Sequence, residues 1–381
     1  MKKTPRVKGE RTKEAEEQKH NKQFVDYYKY MGIVDEEEWD KFYACLKVPL
    51  DICFRINTID KDRETTRKHL FSMIADLAAD EETRMMIPAE VMWYPERETV
   101  FCFNELSRVE LRKNPKLKAF HQFLVRETET GRTFRQEKVS MIPVTLLDVQ
   151  TDHSVLDMCA APGSKTIQIL EALHANGEKM NMGFCVANDV DAKRAYLLTH
   201  QARRLDLPSL FITNNDARFL PNLKSGFDRQ NVKFDRVLCD VPCSGDGTLR
   251  KNLGLWKNFN AHMGHTNHPL QVDILSRGIE VLATGGRLVY STCSFNPIEN
   301  EAVVQAILEK FKGKISLVDV SKEVSPHLRY RPGFTSWKVY HRGKGKKEAP
   351  AWHMAWESVP EWKRSVLRKT MFHDTYTYNN N

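Results

Sequence analysis

The amino-acid sequence predicts a doubly wound α/β fold, in which a mostly parallel sheet lies between two layers of helices, with a small α+β module before it. Short, β-rich apolar runs recur from about residue 136 to residue 320, and segments long enough for a helix separate them. Since parallel strands need a long crossover, usually a helix, this alternation indicates βαβ units with right-handed crossovers. Acidic residues follow several of the runs, which is typical of the ligand-binding edge of such a sheet.

The elements of this sheet can be placed from the sequence. Strands are expected at residues 155–158, 184–188, 210–213, 236–239 and 287–290, and helices at 164–173, 192–205 and 270–283. Residues 315–320 can supply one late strand, but no hairpin partner for it is found. The strand at 287–290 is therefore expected near an incompletely covered edge of the sheet.

The residues before the α/β domain predict a smaller module. Asp35 and Glu38 have the spacing of a capping box that opens a helix ending at Leu46. A strand is expected at 52–57 and an amphipathic helix at 63–79. We divide the chain into a basic, disordered tail (1–22), an α+β module (23–130), the α/β domain (131–320) and a C-terminal extension (321–381).

Positive charge concentrates at the two ends of the chain, whose formal net charge is +8. Lysine and arginine are frequent before residue 22 and again between residues 342 and 369. Basic ends on a globular protein fit a polyanionic partner bound through its phosphates. A solvated tail that favours solubility is the alternative interpretation.

Composition argues against a membrane or secreted protein. No apolar run is long enough to span a bilayer, and the N-terminus lacks the apolar core of a secretory signal. The eight cysteines show no disulfide-framework spacing, which favours a reducing compartment. We expect a nuclear protein, with the nucleolus and the cytoplasm as alternatives. Nothing in the sequence indicates an obligate protein partner.

Two cysteines stand in polar segments that each follow a predicted strand. Cys243 lies in the run Asp-Val-Pro-Cys-Ser-Gly that begins at Asp240, and Cys293 lies in Tyr-Ser-Thr-Cys-Ser. Both thiols and the carboxylate are expected at the carboxyl edge of the sheet, where ligands bind. This arrangement indicates covalent chemistry. A redox pair is the alternative, but Cys-x-x-Cys spacing is absent.

A loop of small residues joins the first predicted strand to its helix and is the candidate cofactor loop. Its candidate binding residues are Cys159, Ala160, Ala161, Pro162, Gly163, Ser164 and Lys165. Small side chains allow a ligand close to the backbone, and the helix amino terminus offers free N–H groups. The run resembles the end of a phosphate-binding P-loop, but Met158 stands where that motif needs glycine, and the dinucleotide glycine pattern is absent.

Acidic residues end the next three predicted strands: Asp189, Asp216 and Asp240. Asp189 is placed to accept hydrogen bonds from ribose hydroxyls, and Asp216 could accept one from an adenine amino group. Each could instead cap the turn or helix that follows. A nucleoside without a pyrophosphate, beside a loop of small residues, points to S-adenosyl-L-methionine. No metal site is predicted.

The sequence resembles the NOL/NOP/Sun family of RNA cytosine-carbon-5 methyltransferases, and most closely its eukaryotic multisite tRNA branch. The resemblance rests on paired Asp-x-Pro-Cys and Thr-Cys-Ser motifs within matching stretches at 136–143, 156–166, 188–198, 235–252 and 290–302. It extends over roughly residues 24–375. In the family, chain continues beyond the segment that resembles Arg368–Phe372, so the extension at 321–381 is expected to be shortened.

The resemblance implies a Rossmann-like S-adenosylmethionine-dependent methyltransferase that acts on RNA, with tRNA as the expected substrate. Cys293 is implied as the nucleophile that adds to cytosine carbon 6, and Cys243 as the group that assists its release. Asp240 is implied to hydrogen-bond the base, and the loop from Cys159 to Lys165 to surround the methionine part of the cofactor. The N-terminal module and the basic ends would hold the flanking RNA.

Two other functions stay open at this point. The motifs identify the reaction more specifically than they identify the RNA substrate. An rRNA methyltransferase of the same chemistry is therefore one alternative. A non-catalytic RNA-binding protein, disabled by a short C-terminus, is the other. The presence of Asp240, Cys243 and Cys293 argues against the second.

For most of the other reactive side chains we predict a structural role rather than a catalytic one. Inert packing is expected for the remaining cysteines, namely Cys45, Cys53, Cys102, Cys159, Cys185 and Cys239. Three histidines at 262, 265 and 268 make a weak zinc motif, and an RNA-facing or variable loop is preferred for them. The run 250–252 could hold a phosphate beside the target base.

Overall fold

A five-stranded parallel sheet forms the centre of the molecule, and it confirms the predicted doubly wound fold. The structure is a computed structural model that describes residues 19–104, 106–175, 177, 182–226, 228–343 and 350–373. The strands of this sheet are β5 (Ser154–Asp157), β6 (Phe184–Asn188), β7 (Leu210–Thr213), β8 (Phe234–Asp240) and β9 (Leu282–Ser291). Their spatial order is β7-β6-β5-β8-β9, and every neighbouring pair is parallel.

Helices cover both faces of this sheet because alternate strand residues point to opposite sides. Val155 and Leu238 pack with Ile167 and Leu170 on one face, whereas Leu156 and Val237 lie in the core of the other. The helices are α6 (Ile142–Thr145), α7 (Ser164–Leu173), α8 (Ala192–Ala202), α9 (Leu253–Asn258), α10 (Met263–Val281) and α11 (Glu301–Lys310). The central residues of β5, β6 and β8 are apolar, as strands buried on both faces require.

A four-stranded antiparallel sheet of order β2-β3-β1-β4 precedes the parallel one. Its elements are β1 (Ile52–Ile56), α3 (Arg63–Ala79), β2 (Ala89–Glu90), β3 (Val100–Phe103), α4 (Arg108–Lys113), α5 (Lys118–Glu129) and β4 (Thr133–Arg135). Cys53 and Cys102 stand opposite each other on β1 and β3 and form a disulfide. Both cysteines are buried in the core, as expected, but the expectation that they are free thiols was wrong, because the strand register pairs them.

The first two helices, α1 (Lys22–Met31) and α2 (Glu36–Lys47), belong to a different core from the antiparallel sheet. They pack with Trp256 and with residues of the C-terminal extension, which contains the hairpin β10 (Val339–His341) and β11 (Ala351–His353). Both ends of the described chain therefore join in one aromatic cluster beside α9. The domain boundaries proposed from the sequence stay a prediction.

A buried ion pair connects the N-terminal module to the parallel sheet. Arg55 on β1 pairs with Glu171 on α7, and both side chains are almost fully buried. Gln136 accepts a hydrogen bond from Arg55 and donates one to Gln168 of α7. Since Glu171 and Gln168 lie on α7, these contacts join the N-terminal module to the helix that begins at the candidate cofactor loop.

Four expectations about local structure need correction. Residues 315–320 are not a strand, so β9 is the edge of the described sheet. Helix α10 starts at Met263, earlier than expected, and its interior includes Pro269.

Asp35 makes no side-chain capping bond, and Glu38 pairs with Arg331 instead. The expected tail at 1–22 lies outside the described residues except for 19–22, and Lys22 already begins α1. No described helix is long and apolar enough to cross a membrane.

Candidate active site

Two thiols meet at the carboxyl edge of the parallel sheet. Asp240 and Ser291, the last residues of β8 and β9, are register partners, so the loops that follow these strands leave the sheet side by side. The sulfur atoms of Cys243 and Cys293 lie 3.2 Å apart, and the backbone N–H of Cys293 donates to the sulfur of Cys243 at 3.3 Å. The N–H of Gly247 donates to the carbonyl of Cys293, and a Cβ at Gly247 would lie 2.7 Å from that oxygen.

The two thiols are not equivalent. Their mutual hydrogen bond lowers the pKa of Cys293 and raises the pKa of Cys243, which burial raises further. Cys293 is exposed and Cys243 is half-buried, so a negative charge is better solvated on Cys293. The pair can present a thiolate at Cys293 beside a protonated thiol at Cys243. A nucleophile with a neighbouring proton carrier is what covalent catalysis requires.

Asp240 is held at the same edge by two donors. Lys165 Nζ lies 2.8 Å from Asp240 Oδ2, and the hydroxyl of Ser291 donates to Oδ1 at 2.7 Å. The side chain of Asp240 is partly exposed at the carboxyl edge of the sheet, where the two thiols also lie.

The loop from Cys159 to Lys165 lies between β5 and α7, as expected. Asp157 is buried at the end of β5, where burial raises its pKa to about 7 and Thr166 donates to its Oδ2. Gly163 has a φ of +108°, and a Cβ there would lie 2.6 Å from Leu198 Cδ1. The loop can therefore adopt this path only with glycine at that position. Burial raises the pKa of Cys159, which fits the packing role expected for it.

The acidic residues at the ends of β6 and β7 have different hydrogen-bond and ion-pair partners. Asp189 Oδ2 accepts from the backbone N–H of Ala161 at 3.1 Å, and so attaches the cofactor loop to β6. Asp216 caps the short 3₁₀ helix Ala217–Phe219 and forms a two-point ion pair with Arg218. Asp189 Oδ1 also accepts from the backbone N–H of Asp191 at 3.0 Å, so the capping alternative describes both residues. The ribose role of Asp189 and the adenine role of Asp216 stay predictions.

Two buried carboxylates behind the thiols were missed from the sequence. Glu299 accepts hydrogen bonds from Ser244 and Ser294, the residues that follow the two cysteines. Asp246 accepts from the N–H of Phe295 and from the hydroxyl of Tyr28 on α1, and burial raises its pKa to about 6. The available signal was their position, three residues after Cys243 and six after Cys293, in runs rich in serine, glycine and asparagine.

Some predicted residues do not join the site. Arg250 donates to the carbonyls of Val48 and Pro49, and Lys251 pairs with Glu137. Lys251 is still near enough to Cys293 for its charge to lower the pKa of that thiol, and the phosphate role of this run stays a prediction. The three histidines lie in or next to α10 rather than in a loop, because the helix begins earlier than expected. His268 bonds the carbonyl of Ile298 and the hydroxyl of Thr370.

The remaining cysteines mostly pack as expected. Cys185 and Cys239 are buried, and burial raises the pKa of both thiols. Cys45 is exposed on α2, so the expectation that it is a core residue was wrong. Among the described residues, no group of three or more histidine, cysteine or acidic side chains is arranged to hold a metal ion.

The sheet order, the small-residue loop and the acidic strand ends define a protein with the Rossmann-like methyltransferase fold. A methyltransferase homolog from Pyrococcus horikoshii superposes with a TM-score of 0.52 at 28% identity, covering 77% of this chain and 80% of its own. The structure of NSun6 from Pyrococcus horikoshii with SFG gives a TM-score of 0.56 at 21% identity, covering 77% of this chain and 88% of its own.

The chain belongs to the family described as 16S rRNA methyltransferase RsmB/F, whose model matches residues 144–337. This confirms the family predicted from the motifs. A tRNA (cytosine(34)-C(5))-methyltransferase of Drosophila melanogaster is 42% identical over 92% of this chain and 48% of its own length. A multisite-specific tRNA:(cytosine-C(5))-methyltransferase of Saccharomyces cerevisiae is 41% identical over 86% and 48%. The chain spans about half the length of these curated relatives.

Proposed function

We propose that the protein methylates carbon 5 of cytosine in tRNA, using S-adenosyl-L-methionine and a covalent bond between Cys293 and the base. The observation that carries this proposal is the contact of Cys243 and Cys293, 3.2 Å apart, at the sheet edge that also presents Asp240. The relatives named as tRNA cytosine-C5 methyltransferases support the same reaction and favour tRNA.

The residues at the cofactor loop fit S-adenosyl-L-methionine. The loop combines small side chains with the first-turn N–H groups of α7, which suit the carboxylate of a methionine group. Asp189 supplies a buried carboxylate at the end of β6, which suits ribose hydroxyls. Bound there, the cofactor supplies an electrophilic methyl group.

The side chains at the edge have separate tasks in this reaction. Carbon 5 of cytosine is a poor nucleophile, so the thiolate of Cys293 adds at carbon 6 and makes carbon 5 electron-rich. Asp240 accepts a hydrogen bond from the exocyclic amine of the base and so holds its ring edge in place for the addition. After methyl transfer, the proton on carbon 5 must leave so that the bond between Cys293 and carbon 6 can break. For that release Cys243 first gives its proton to solvent, and its thiolate, 3.2 Å from Cys293, then accepts the carbon-5 proton. The double bond between carbons 5 and 6 re-forms, and Cys293 leaves as a thiolate.

The substrate must present its cytosine outside a base stack, because the thiol cannot reach carbon 6 within a helix. A loop or an opened helix end of a tRNA meets this need. The basic ends of the chain suit contacts with flanking phosphates. We propose the nucleus as the site of action, with the nucleolus and the cytoplasm as alternatives.

Transfer of a labelled methyl group tests this function. The protein is incubated with labelled S-adenosyl-L-methionine and, separately, with unmodified tRNA and with rRNA, and labelled positions are mapped by bisulfite sequencing. We expect 5-methylcytosine in tRNA with the wild-type chain and with Cys185→Ala, a buried thiol away from the edge, and none with Cys293→Ala.

The other outcomes distinguish the alternatives. The family description names 16S rRNA, so label in rRNA alone would replace tRNA by rRNA as the substrate. Binding of cofactor and RNA without any transfer would contradict the enzymatic proposal and favour a non-catalytic RNA-binding protein.

A further inference from the structure

Glu299 is a carboxylate enclosed between the two thiol-bearing loops. It follows β9 and directly precedes the start of α11, and its residue is 0% exposed. The backbone N–H of Ser244, next to Cys243, donates to it at 2.9 Å. The hydroxyl of Ser294, next to Cys293, also donates to it at 2.9 Å. One side chain is therefore bonded to both loops.

Helix α10 completes the surroundings of this carboxylate. Asn267 and Gln271 donate to Glu299 at 2.9 and 3.0 Å. The amide of Gln271 also donates to the carbonyl of Pro242, which precedes Cys243. Four donors around the buried carboxylate satisfy both of its oxygens, and such hydrogen bonds fix the groups that make them.

The two oxygens of Glu299 serve different loops. Among the described residues, Oε1 accepts three N–H donors, including the one from the Cys243 loop, whereas Oε2 accepts the hydroxyl of Ser294 in the Cys293 loop. A change confined to Oε2 therefore acts first on the Ser294 hydroxyl beside Cys293 and leaves the bond from the Ser244 N–H in place. It reaches the Cys243 loop less directly, because the Ser294 hydroxyl also accepts from the Ser244 hydroxyl at 2.9 Å.

We propose that Glu299 is a positioning residue that holds Cys293 at the distance and direction needed to add to the base. Its hydrogen bonds reach the residues next to the two cysteines, so it acts on the thiols through Ser294 and Ser244. The proposal rests on the proposed function, because it assigns Glu299 to the addition step at Cys293. Displacing a reacting group by about 1 Å can cost roughly a hundredfold in rate.

The substitution Glu299→Gln changes the group at the Oε2 site and leaves an oxygen at the Oε1 site. Three N–H donors hold an oxygen at the Oε1 site, so the new amide nitrogen takes the Oε2 site and faces the hydroxyl of Ser294 as a donor. That hydroxyl then loses the acceptor that orients it. Glu301→Gln is the matched control, because Glu301 lies two residues away and accepts from Phe334 rather than from either thiol loop.

The test measures the addition step alone. In the Cys243→Ala background, where the adduct between Cys293 and RNA should accumulate, its rate of formation is followed by denaturing electrophoresis with saturating tRNA and S-adenosyl-L-methionine. We expect Glu299→Gln to slow adduct formation by roughly tenfold to a hundredfold. Glu301→Gln should leave that rate within about twofold.

Three further results decide between positioning and a general structural effect. Cofactor affinity should stay within about twofold in Glu299→Gln, since the cofactor loop does not contact Glu299. Ser294→Ala should slow addition as well, and the double variant should be no slower than the slower single variant. Equal adduct rates with and without Glu299→Gln would overturn the positioning role. Absence of an adduct in Cys243→Ala itself would instead overturn the proposed function.

Discussion

Lys165 and Asp240 form an ion pair, with 2.8 Å between Nζ and Oδ2, that joins the first turn of α7 to the end of β8. Lys165 ends the candidate cofactor loop, and Asp240 is the carboxylate proposed to hold the target base. Both side chains are half-buried, so the pair is better shielded from solvent than a fully exposed ion pair. The cofactor loop and the base-binding edge are therefore coupled through one contact.

Replacing Lys165 should damage turnover more than cofactor binding. Lys165→Met keeps most of the side-chain volume but removes the charge beside Asp240. In the part of the chain that the structure describes, Ser291 is then the remaining donor to that carboxylate. We expect turnover at saturating cofactor and tRNA to fall about tenfold or more, the size of a lost charge-assisted hydrogen bond. Lys165→Arg should retain more activity. Unchanged turnover with weakened cofactor binding would assign Lys165 to the cofactor alone.

Asp189 and Asp216 should contribute unequally to cofactor binding. Asp189→Ala removes a buried carboxylate that also holds the N–H of Ala161, so affinity for S-adenosyl-L-methionine should fall by more than about tenfold. Asp216 bonds Arg218 with both oxygens and is less buried than Asp189, so Asp216→Ala should cost less. Titration calorimetry measures both. Equal losses, or none for Asp189→Ala, would remove the ribose assignment.

Asp157 should make the cofactor-free protein less stable as pH rises from about 4 to about 7. Burial raises the pKa of Asp157 to about 7, above its unfolded value near 3.8, so the folded state binds the extra proton in this window. Unfolding then becomes easier as that proton is lost, by an amount on the order of 2–4 kcal/mol.

Asp157→Asn isolates this contribution because asparagine cannot ionise. Urea unfolding at several pH values should show that the variant loses less stability than the wild type between pH 4 and pH 7. Parallel stability profiles for the two proteins would show that Asp157 is ionised in the folded protein throughout this range.

The ion pair of Arg55 and Glu171 should be essential for stability. Arg55→Met leaves the carboxylate of Glu171 buried without its cation, which costs about 3–5 kcal/mol. The double variant Arg55→Met with Glu171→Met should recover part of this loss, because no charge then stays buried. Urea unfolding measures both. A loss below about 1 kcal/mol in Arg55→Met would indicate that water reaches Glu171.

Local patterns predicted most of the parallel sheet because each of its strands is a short apolar run ending in a polar residue. The helices Ser164–Leu173 and Arg63–Ala79 and the strands Phe184–Asn188 and Leu210–Thr213 have the expected bounds. Helix α10 was predicted too short because Pro269 and the histidines are typical of loops. In the structure these residues lie in or next to the helix, where His268 bonds Ile298 and Thr370.

The candidate site was predictable where its residues follow strands, as Asp240, Cys243 and Cys293 do. Contacts between distant segments were not predictable from local pattern. The bond from Tyr28 to Asp246 and the disulfide of Cys53 and Cys102 depend on how separate elements pack. Glu299 was missed for the same reason, since its four donors come from three different segments.

The central claim is the division of labour between the two cysteines, and trapping of a protein–RNA adduct tests it most directly. Each alanine variant is incubated with tRNA and S-adenosyl-L-methionine and then analysed by denaturing electrophoresis. Cys243→Ala can add to the base but releases it slowly, so an adduct should survive. Cys293→Ala and the double variant should show none. A stable adduct in Cys293→Ala but not in Cys243→Ala would contradict the assignment and make Cys243 the nucleophile.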